Sequence, residues 1–443
     1  MRILVIGAGE VGSSIAGSLA DNHEVVVVDV DGERVESLTY SHDVLAIEGD
    51  GTSLETLEEA GVAEADMVIA STDDDETNLV SCATAKTATD AFTIARVRNT
   101  NFLRTWRRSE GAFGVDFMVC TNLLAAEAIV CIAGLPAARD VDPFAGGRVQ
   151  MAEFEVREES PIAGKTVQEA DHWDALTFAA VIDDEEVTIP RGGTVIEGGT
   201  KVVVIGTPDC VREFAEDLAP DEKRARDVVV VGGGAIGFET ARLLGERGLE
   251  PRVIDSDEDR SRHLAEALPR AVVMCHDPTD AEFLLREHVA EADLAVVSLE
   301  SDELTLLVAL LAKQIGTGRT VAVVENGEYV KLFEAVGVDV AVNPREVVAE
   351  EITRFTHGQQ AENVAVIESD RAEVIEIEVD DESVLAGRAI REAAADLPEG
   401  VVIGAITRNG DVVTPRGETV IRAGDHIVVF ADVNVVDEVL SEL

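Results

Sequence analysis

Short apolar runs alternate with longer amphipathic stretches through the first third of the chain. The runs are "RILVIG", "EVVVVDV", "VLAIEG", "MVIAS", "FTIARVR" and "FMVC", with helical stretches after the first, third, fourth and fifth. Strands separated by helices predict a parallel, doubly wound α/β sheet over residues 1–135. The pattern then changes. Residues 148–219 carry shorter strands such as "KVVVIG", punctuated by the turns "PRGG" and "EGGT", and predict a small α+β domain.

The whole pattern then recurs. Gly7 aligns with Gly232, an offset of 232 − 7 = 225, and Pro190-Arg191-Gly192 aligns with Pro415-Arg416-Gly417 at the same offset. Between them, "EADMVIASTDDDETNLV" (64–80) matches "EADLAVVSLESDELTLL" (291–307), and "SPIAGKTVQEA" (160–170) matches "SVLAGRAIREA" (383–393). Collinear matches across both halves describe a duplication. The expected domains are therefore Rossmann-like over 1–135 and 226–355, with small α+β domains over 148–219 and 363–443. Joints are expected near 133–147, 219–227 and 356–363, which are polar or rich in Pro, Gly and charge.

Charge narrows the setting. The chain has 87 acidic and 36 basic residues, a formal net charge of −51, with the acids spread over both halves. Such a surface suits a cytoplasm full of salt, where at 1 M the screening length is roughly 3 Å and self-repulsion is tolerable. It disfavours nucleic acid, which rewards a positive surface. No run reaches about 18 apolar residues and the N-terminus lacks a signal-peptide layout, so a cytoplasmic protein is expected. The five cysteines form no C-x-x-C pair, and buried free thiols are expected rather than disulfides or zinc.

Candidate chemistry lies at the glycine turns. Gly7-x-Gly9-x-x-Gly12 follows the apolar run "ILVI" and precedes a helical stretch, as a dinucleotide turn requires. Gly7 permits the tight turn, Gly9 the close approach of a pyrophosphate, and Gly12 the helix–strand packing. The phosphates would lie at the helix N-terminus. Asp29 ends the next strand, 17 residues after Gly12. There it can accept from ribose hydroxyls and repel a 2′-phosphate, favouring NAD over NADP. Asp50 follows the third strand, with Thr52 as a helix cap. Thr72 and Asp73 follow the fourth, and Arg96 ends the fifth. Glu10, inside the glycine loop beside Ala8 and Val11, would repel a terminal γ-phosphate. The second copy keeps Gly232, Gly233, Gly234, Ala235, Ile236 and Gly237, with Asp255, Asp277 and Thr279. It has Leu299 for Thr72, Thr305 for Asn78, Val323 for Arg96 and Glu325 for Arg98, so weaker dinucleotide binding is expected there.

Taken together, the glycine turn with Asp29, "GDGT", "TDDDETN", "IARVR" and the doubled "AGKTV…IPRGGTVIEGGTKVVVIG" tail resemble the TrkA family over essentially the whole chain. These are cytosolic regulatory subunits of Trk-type potassium uptake systems, built from two tandem regulator-of-potassium-conductance units. The resemblance implies NAD(H) in the Rossmann-like sites, with ATP or ADP as further ligands. Dinucleotide contacts are implied at Gly7 to Val11, Asp29, Thr72, Asp73 and Arg96. It also implies a homo-oligomer, with a tetramer as the best guess, attached peripherally to a TrkH-like membrane channel subunit. Related units often carry a carboxylate after the sixth strand that reaches a cation. Here Thr121-Asn122 and Pro344-Arg345 stand instead, so no metal is expected. No catalytic residue is assigned. An NAD-dependent dehydrogenase is the alternative, but its candidate proton-transfer groups, His172, His276 and His426, are poorly placed: two fall in the small domains and one in the altered second site.

Overall fold

The computed structural model describes residues 1–20, 22–109, 112–183, 186–220, 224–357, 363–367, 372–380, 383–393, 397–398, 400–436 and 439. It divides into two compact units, residues 1–130 with 226–353, and residues 131–225 with 354–443. The first unit thus pairs the two Rossmann-like domains, and the second pairs the two small ones.

In the first Rossmann-like domain, β1 (Arg2–Ile6), β2 (Glu24–Asp29), β3 (Leu45–Glu48), β4 (Met67–Ala70), β5 (Phe92–Val97) and β6 (Phe117–Cys120) form a parallel sheet in the order β3-β2-β1-β4-β5-β6. The inner strands β1, β4 and β5 are buried because alternate residues face helices on both sides, whereas the edge strand β3 is not. Leu4, Ile6, Val26, Val28, Val68 and Ala95 belong to one such core. Strand order reverses between β1 and β4, which opens a crevice at their carboxyl ends.

The small domain beside it in sequence has β7 (Ala138–Phe144), β8 (Val149–Glu155), β9 (Leu176–Asp183), β10 (Glu186–Thr188) and β11 (Lys201–Gly206), ordered β10-β9-β11-β8-β7. The expected joint at 133–147 is corrected here. β7 pairs antiparallel with β8, so the small domain begins before residue 148. Its Pro143 sits on an edge strand, where a missing N–H costs no ladder bond.

The second half repeats this plan. β12 (Val228–Val231), β13 (Arg252–Asp255), β14 (Val272–Cys275), β15 (Leu294–Val297), β16 (Arg319–Val323) and β17 (Val340–Val342) run in the order β14-β13-β12-β15-β16-β17. β18 (Asn363–Ile367), β19 (Ala372–Glu378), β20 (Val401–Arg408), β21 (Asp411–Val413) and β22 (His426–Asp432) form the last sheet, β18-β19-β22-β20-β21. The remaining two expected joints fall partly on 221–223 and 358–362, outside the described residues.

The two small domains share one core. Phe144, Met151, Ile182 and Ile205 pack with Val374, Ala405, Val428 and Phe430. A side chain at Gly404 would come within 2.5 Å of Ile205, so the close approach of the sheets needs glycine there. None of the cysteines is in a disulfide, but only Cys82 and Cys120 are buried; Cys131 and Cys210 are half-buried and Cys275 is exposed. Burial pushes the Cys82 thiol up to about 12, which leaves it unreactive. Among the described residues no helix is long and apolar enough to cross a membrane.

Candidate functional site

The glycine turn after β1 is built as its spacing requires. Gly7 has φ +107°, open to glycine at little cost, and a side chain on Gly12 would stand 1.8 Å from the Gly7 carbonyl oxygen. At Gly9 the nearest atom to an added side chain is Arg34 Nη1, 3.4 Å away, so the loop faces open space. That space is a cavity of about 440 Å³ lined by Gly7, Gly9, Glu10, Val11, Asp29, Asp50, Thr72, Asp73 and Arg96, among others. Ala8 and Gly12 shape the turn from behind and do not line it. Asp29 Oδ2 accepts from the Ala8 N–H at 2.5 Å, and Oδ1 from the Asp31 N–H at 2.8 Å. The acid chosen for ribose therefore also braces the loop.

The opposite wall is held by a residue the sequence reading left out of the site. Asn78 is wholly buried. Its Oδ1 accepts from the Thr72 N–H at 2.8 Å and hydroxyl at 2.7 Å, while Nδ2 donates to the Thr72 and Arg96 carbonyls, both at 2.9 Å. The Arg96 side chain is only 3% exposed. Nε donates to the Thr121 hydroxyl and Nη1 to Asp73, but Nη2 is buried with no hydrogen-bond partner. Burial pulls the Arg96 pKa down against the attraction of Asp73. Burial likewise raises Asp73, but Arg96, Arg98 and Arg345 outweigh it and hold the carboxyl below its usual range. A buried guanidinium nitrogen left without a partner, on a residue that lines the glycine-turn cavity, is a donor that suits a phosphate oxygen.

Asp50 Oδ1 accepts from the Thr52 N–H and hydroxyl, and these hydrogen bonds lower its pKa. Thr52 is not the cap expected of it: Ser53 precedes the helix Leu54–Glu59. Asp277 and Thr279 repeat the arrangement, with Asp280 as the following cap.

The second turn is equivalent. Gly232 has φ +99°, a side chain on Gly237 would lie 1.9 Å from the Gly232 oxygen, and Gly234 has nothing within 4 Å. Asp255 Oδ2 accepts from the Gly233 N–H at 2.7 Å. The cavity here is about 800 Å³ and is lined by Gly232, Gly234, Ala235, Ile236, Asp255, Asp277 and Thr279. Its cations differ from the expectation. Val323 and Glu325 do replace two arginines, but Arg260, Arg345 and the first domain's Arg98 also line this cavity. Arg260 meets Asp255 at 3.3 Å and Glu300 at 3.2 Å. A signal for it was present: Arg34 and Arg260 each stand five residues beyond the acids Asp29 and Asp255.

Glu10 is also corrected. Its carboxylate does not stand free in the loop to repel a phosphate. It is engaged by the second domain, accepting from Arg345 Nη1 at 2.6 Å, the Gly327 N–H at 3.1 Å and Asn343 Nδ2 at 3.3 Å. Burial lowers the Arg345 pKa, but Glu10, Asp73 and Glu325 reverse this and leave it raised. Nothing in the sequence marked residues 335 apart as partners.

Among the described residues no group of three or more His, Cys, Asp or Glu is arranged to hold a metal ion. His276 binds Asp280 at 3.0 Å and is not among the residues lining the second cavity. His172 stacks on Trp173 in the first small domain.

A model of the TrkA-N domain matches residues 3–121 and 228–344, and one of the TrkA-C domain matches 151–219 and 374–443. "Trk system potassium uptake protein TrkA homolog 1" of Methanosarcina mazei is 34% identical, with 99% of each chain covered. The homolog of Archaeoglobus fulgidus is 36% identical, with 97% of each covered. Among solved structures, the "GsuK channel bound to NAD" superposes with a TM-score of 0.62 at 22% identity, covering 99% of this chain and 79% of that one. The GsuK RCK domain gives 0.61 at 21%, covering 99% and 95%. These two likenesses concern the fold.

Proposed function

This chain belongs to the TrkA family, and from that premise we propose that it is an NAD(H)-binding regulatory subunit of a Trk-type potassium uptake system. The observation that carries the ligand is the first crevice. It combines a glycine loop with room at Gly9, an acid at the ribose position, and the buried, unpartnered Nη2 of Arg96. In this reading the loop N–H groups and Arg96 hold the pyrophosphate, and Asp29 accepts from the ribose. Asp50, Thr72 and Asp73 complete the walls. Gly232, Gly234, Ala235, Ile236, Asp255, Asp277 and Thr279 do the same in the second crevice.

ADP and ATP fit the same crevices as further ligands, because Glu10 is neutralised by Arg345 and leaves the loop free for phosphate. The protein acts without chemistry of its own. A nucleotide that prefers one arrangement of the paired domains shifts the population toward it, by no more than its differential affinity. The shift is passed to a TrkH-like membrane subunit on which a homo-oligomer, with a tetramer as the proposed number, sits from the cytoplasmic side. The dehydrogenase alternative gains nothing from its three candidate histidines, since none of His172, His276 and His426 lines a cavity at either glycine loop.

Deleting the protein should impair potassium uptake at low external potassium while the membrane subunit is still expressed, and the membrane subunit should co-purify with it from native membranes. Normal uptake in the deletion strain would overturn the proposal.

A further inference from the structure

Arg345 belongs to the wall of both cavities. It comes from the second domain, yet its guanidinium donates to Glu10 of the first glycine loop, with Glu325 further off at 3.8 Å. Its Nε is buried without a partner, so the guanidinium still has a donor to give. The exchange is one-sided. The residue aligned with Glu10 in the second loop is Ala235, and the residue aligned with Arg345 is Asn122; both line the second cavity.

We propose that Arg345 is shared between the two nucleotide cavities and couples them negatively, the second cavity taking a nucleoside diphosphate whose phosphates draw the guanidinium away from Glu10. The inference rests on the proposed reading that both glycine loops hold nucleotides. The physical sequence has two steps. Arg98 and Arg260 already line the second cavity, so a diphosphate there finds two guanidinium groups and attracts a third. Once Arg345 turns to it, Glu10 is left as an uncompensated carboxylate at the N-terminus of the first helix, where a pyrophosphate must approach. Anion binding in the first cavity then weakens. By linkage, a dinucleotide in the first cavity must weaken the diphosphate in the second by the same factor. Glu10 therefore acts on affinity through its partner. With Arg345 in place it is neutral to the ligand, and without it the carboxylate is repulsive.

The test uses the full-length protein and NADH titrations read by nucleotide fluorescence. The first-site phase is identified as the one removed by Gly9→Asp. Arg345→Gln should weaken that phase about fivefold or more, a typical coupling, and Glu10→Gln added to it should restore the affinity. Saturating ADP should weaken NADH at the first site by a similar factor in the unmutated protein. That effect should vanish in both Gly234→Asp and Glu10→Gln. The second of these carries the test if Arg345→Gln folds poorly. An ADP effect that survives Gly234→Asp is direct competition and overturns the proposal, as does an NADH affinity unmoved by ADP or by Arg345→Gln. Absence of any NADH binding to the unmutated protein would instead overturn the function proposed above.

Discussion

Asp29 Oδ2 accepts the N–H of Ala8 at 2.5 Å, so the acid at the end of β2 grips the glycine loop it faces. An acid at this position is what should exclude a 2′-phosphate. NADH should bind the first site more tightly than NADPH. Asp29→Ala should weaken NADH and erase the preference, because it removes the ribose acceptor and loosens the loop together. Equal titrations of NADH and NADPH with the unmutated protein would contradict this.

Gly9 and Gly234 each tolerate a side chain in the unliganded fold, with only Arg34 Nη1 at 3.4 Å near the first and nothing within 4 Å of the second. Aspartate at either position should therefore leave folding intact and remove one site. We expect Gly9→Asp to abolish the tighter NADH phase by calorimetry. The reason is Arg96, whose side chain is nearly wholly buried and holds its unpartnered Nη2 in place, whereas Arg98 and Arg260 at the second site are more exposed and paired with Asp73 and Asp255, and Arg345 is engaged by Glu10. Loss of the tighter phase in Gly234→Asp would reverse the ranking.

Asn78 satisfies four groups at once, and Thr305 in the second domain keeps one of these bonds, accepting from the Leu299 N–H at 3.2 Å. Asn78→Ala should leave buried backbone groups unpaired, at a cost of about 1–3 kcal/mol for each. Asn78→Thr should be milder. Thermal melts of the two variants would check the order, with reduced NADH affinity expected for both because Thr72 and Arg96 lose their tether.

The Asp73 carboxyl is held below the ordinary carboxylate range: burial opposes this, and Arg96, Arg98 and Arg345 prevail. A depressed carboxyl contributes stability above its unfolded pKa and loses it as pH falls through the folded value. Asp73→Asn should thus lower stability near neutrality and flatten the acid side of the stability profile below about pH 4. An unchanged slope in acid unfolding curves would show that the three arginines do not depend on this carboxylate.

With 87 acids against 36 bases, the assembly should depend on salt. In concentrated salt, size-exclusion with light scattering should report a mass several times 47.2 kDa. In dilute salt the assembly should loosen as screening is lost. A single-chain mass in high salt would remove the oligomer from the proposal.

Local chemistry was legible in the sequence wherever it was local in space. The two glycine turns, the strand-end acids Asp29 and Asp255 and the six strands of the first Rossmann-like domain follow from short-range pattern, and the second domain follows from the repeat, because a parallel strand and a tight turn each declare themselves within a few residues. β7 escaped because its Pro, Gly and charged neighbours are also what a linker carries, and its pairing partner β8 alone decides the matter. Arg96 was legible as a cation at the end of β5, but its burial against the Thr121 hydroxyl was not, because that partner lies on another element. Arg345 was invisible as a site residue. Its role depends on one domain meeting another, and a charge carries no mark of the distant group that will neutralise it.

Glu10 and Arg345 also answer a problem that every tandem duplication creates. Twin folds begin with the same contact face, so each could pair with its own kind in a neighbouring molecule as readily as with its sibling. Here the siblings have drifted apart at two aligned places, Glu10 against Ala235 and Asn122 against Arg345. A first domain meeting a first domain in this geometry sets two carboxylates against two amides. A second meeting a second strands two guanidinium groups beside alanines. Only the mixed couple cancels its charge. The ion pair thus serves as an address, and the two halves, made as separate polypeptides, should find each other in preference to themselves.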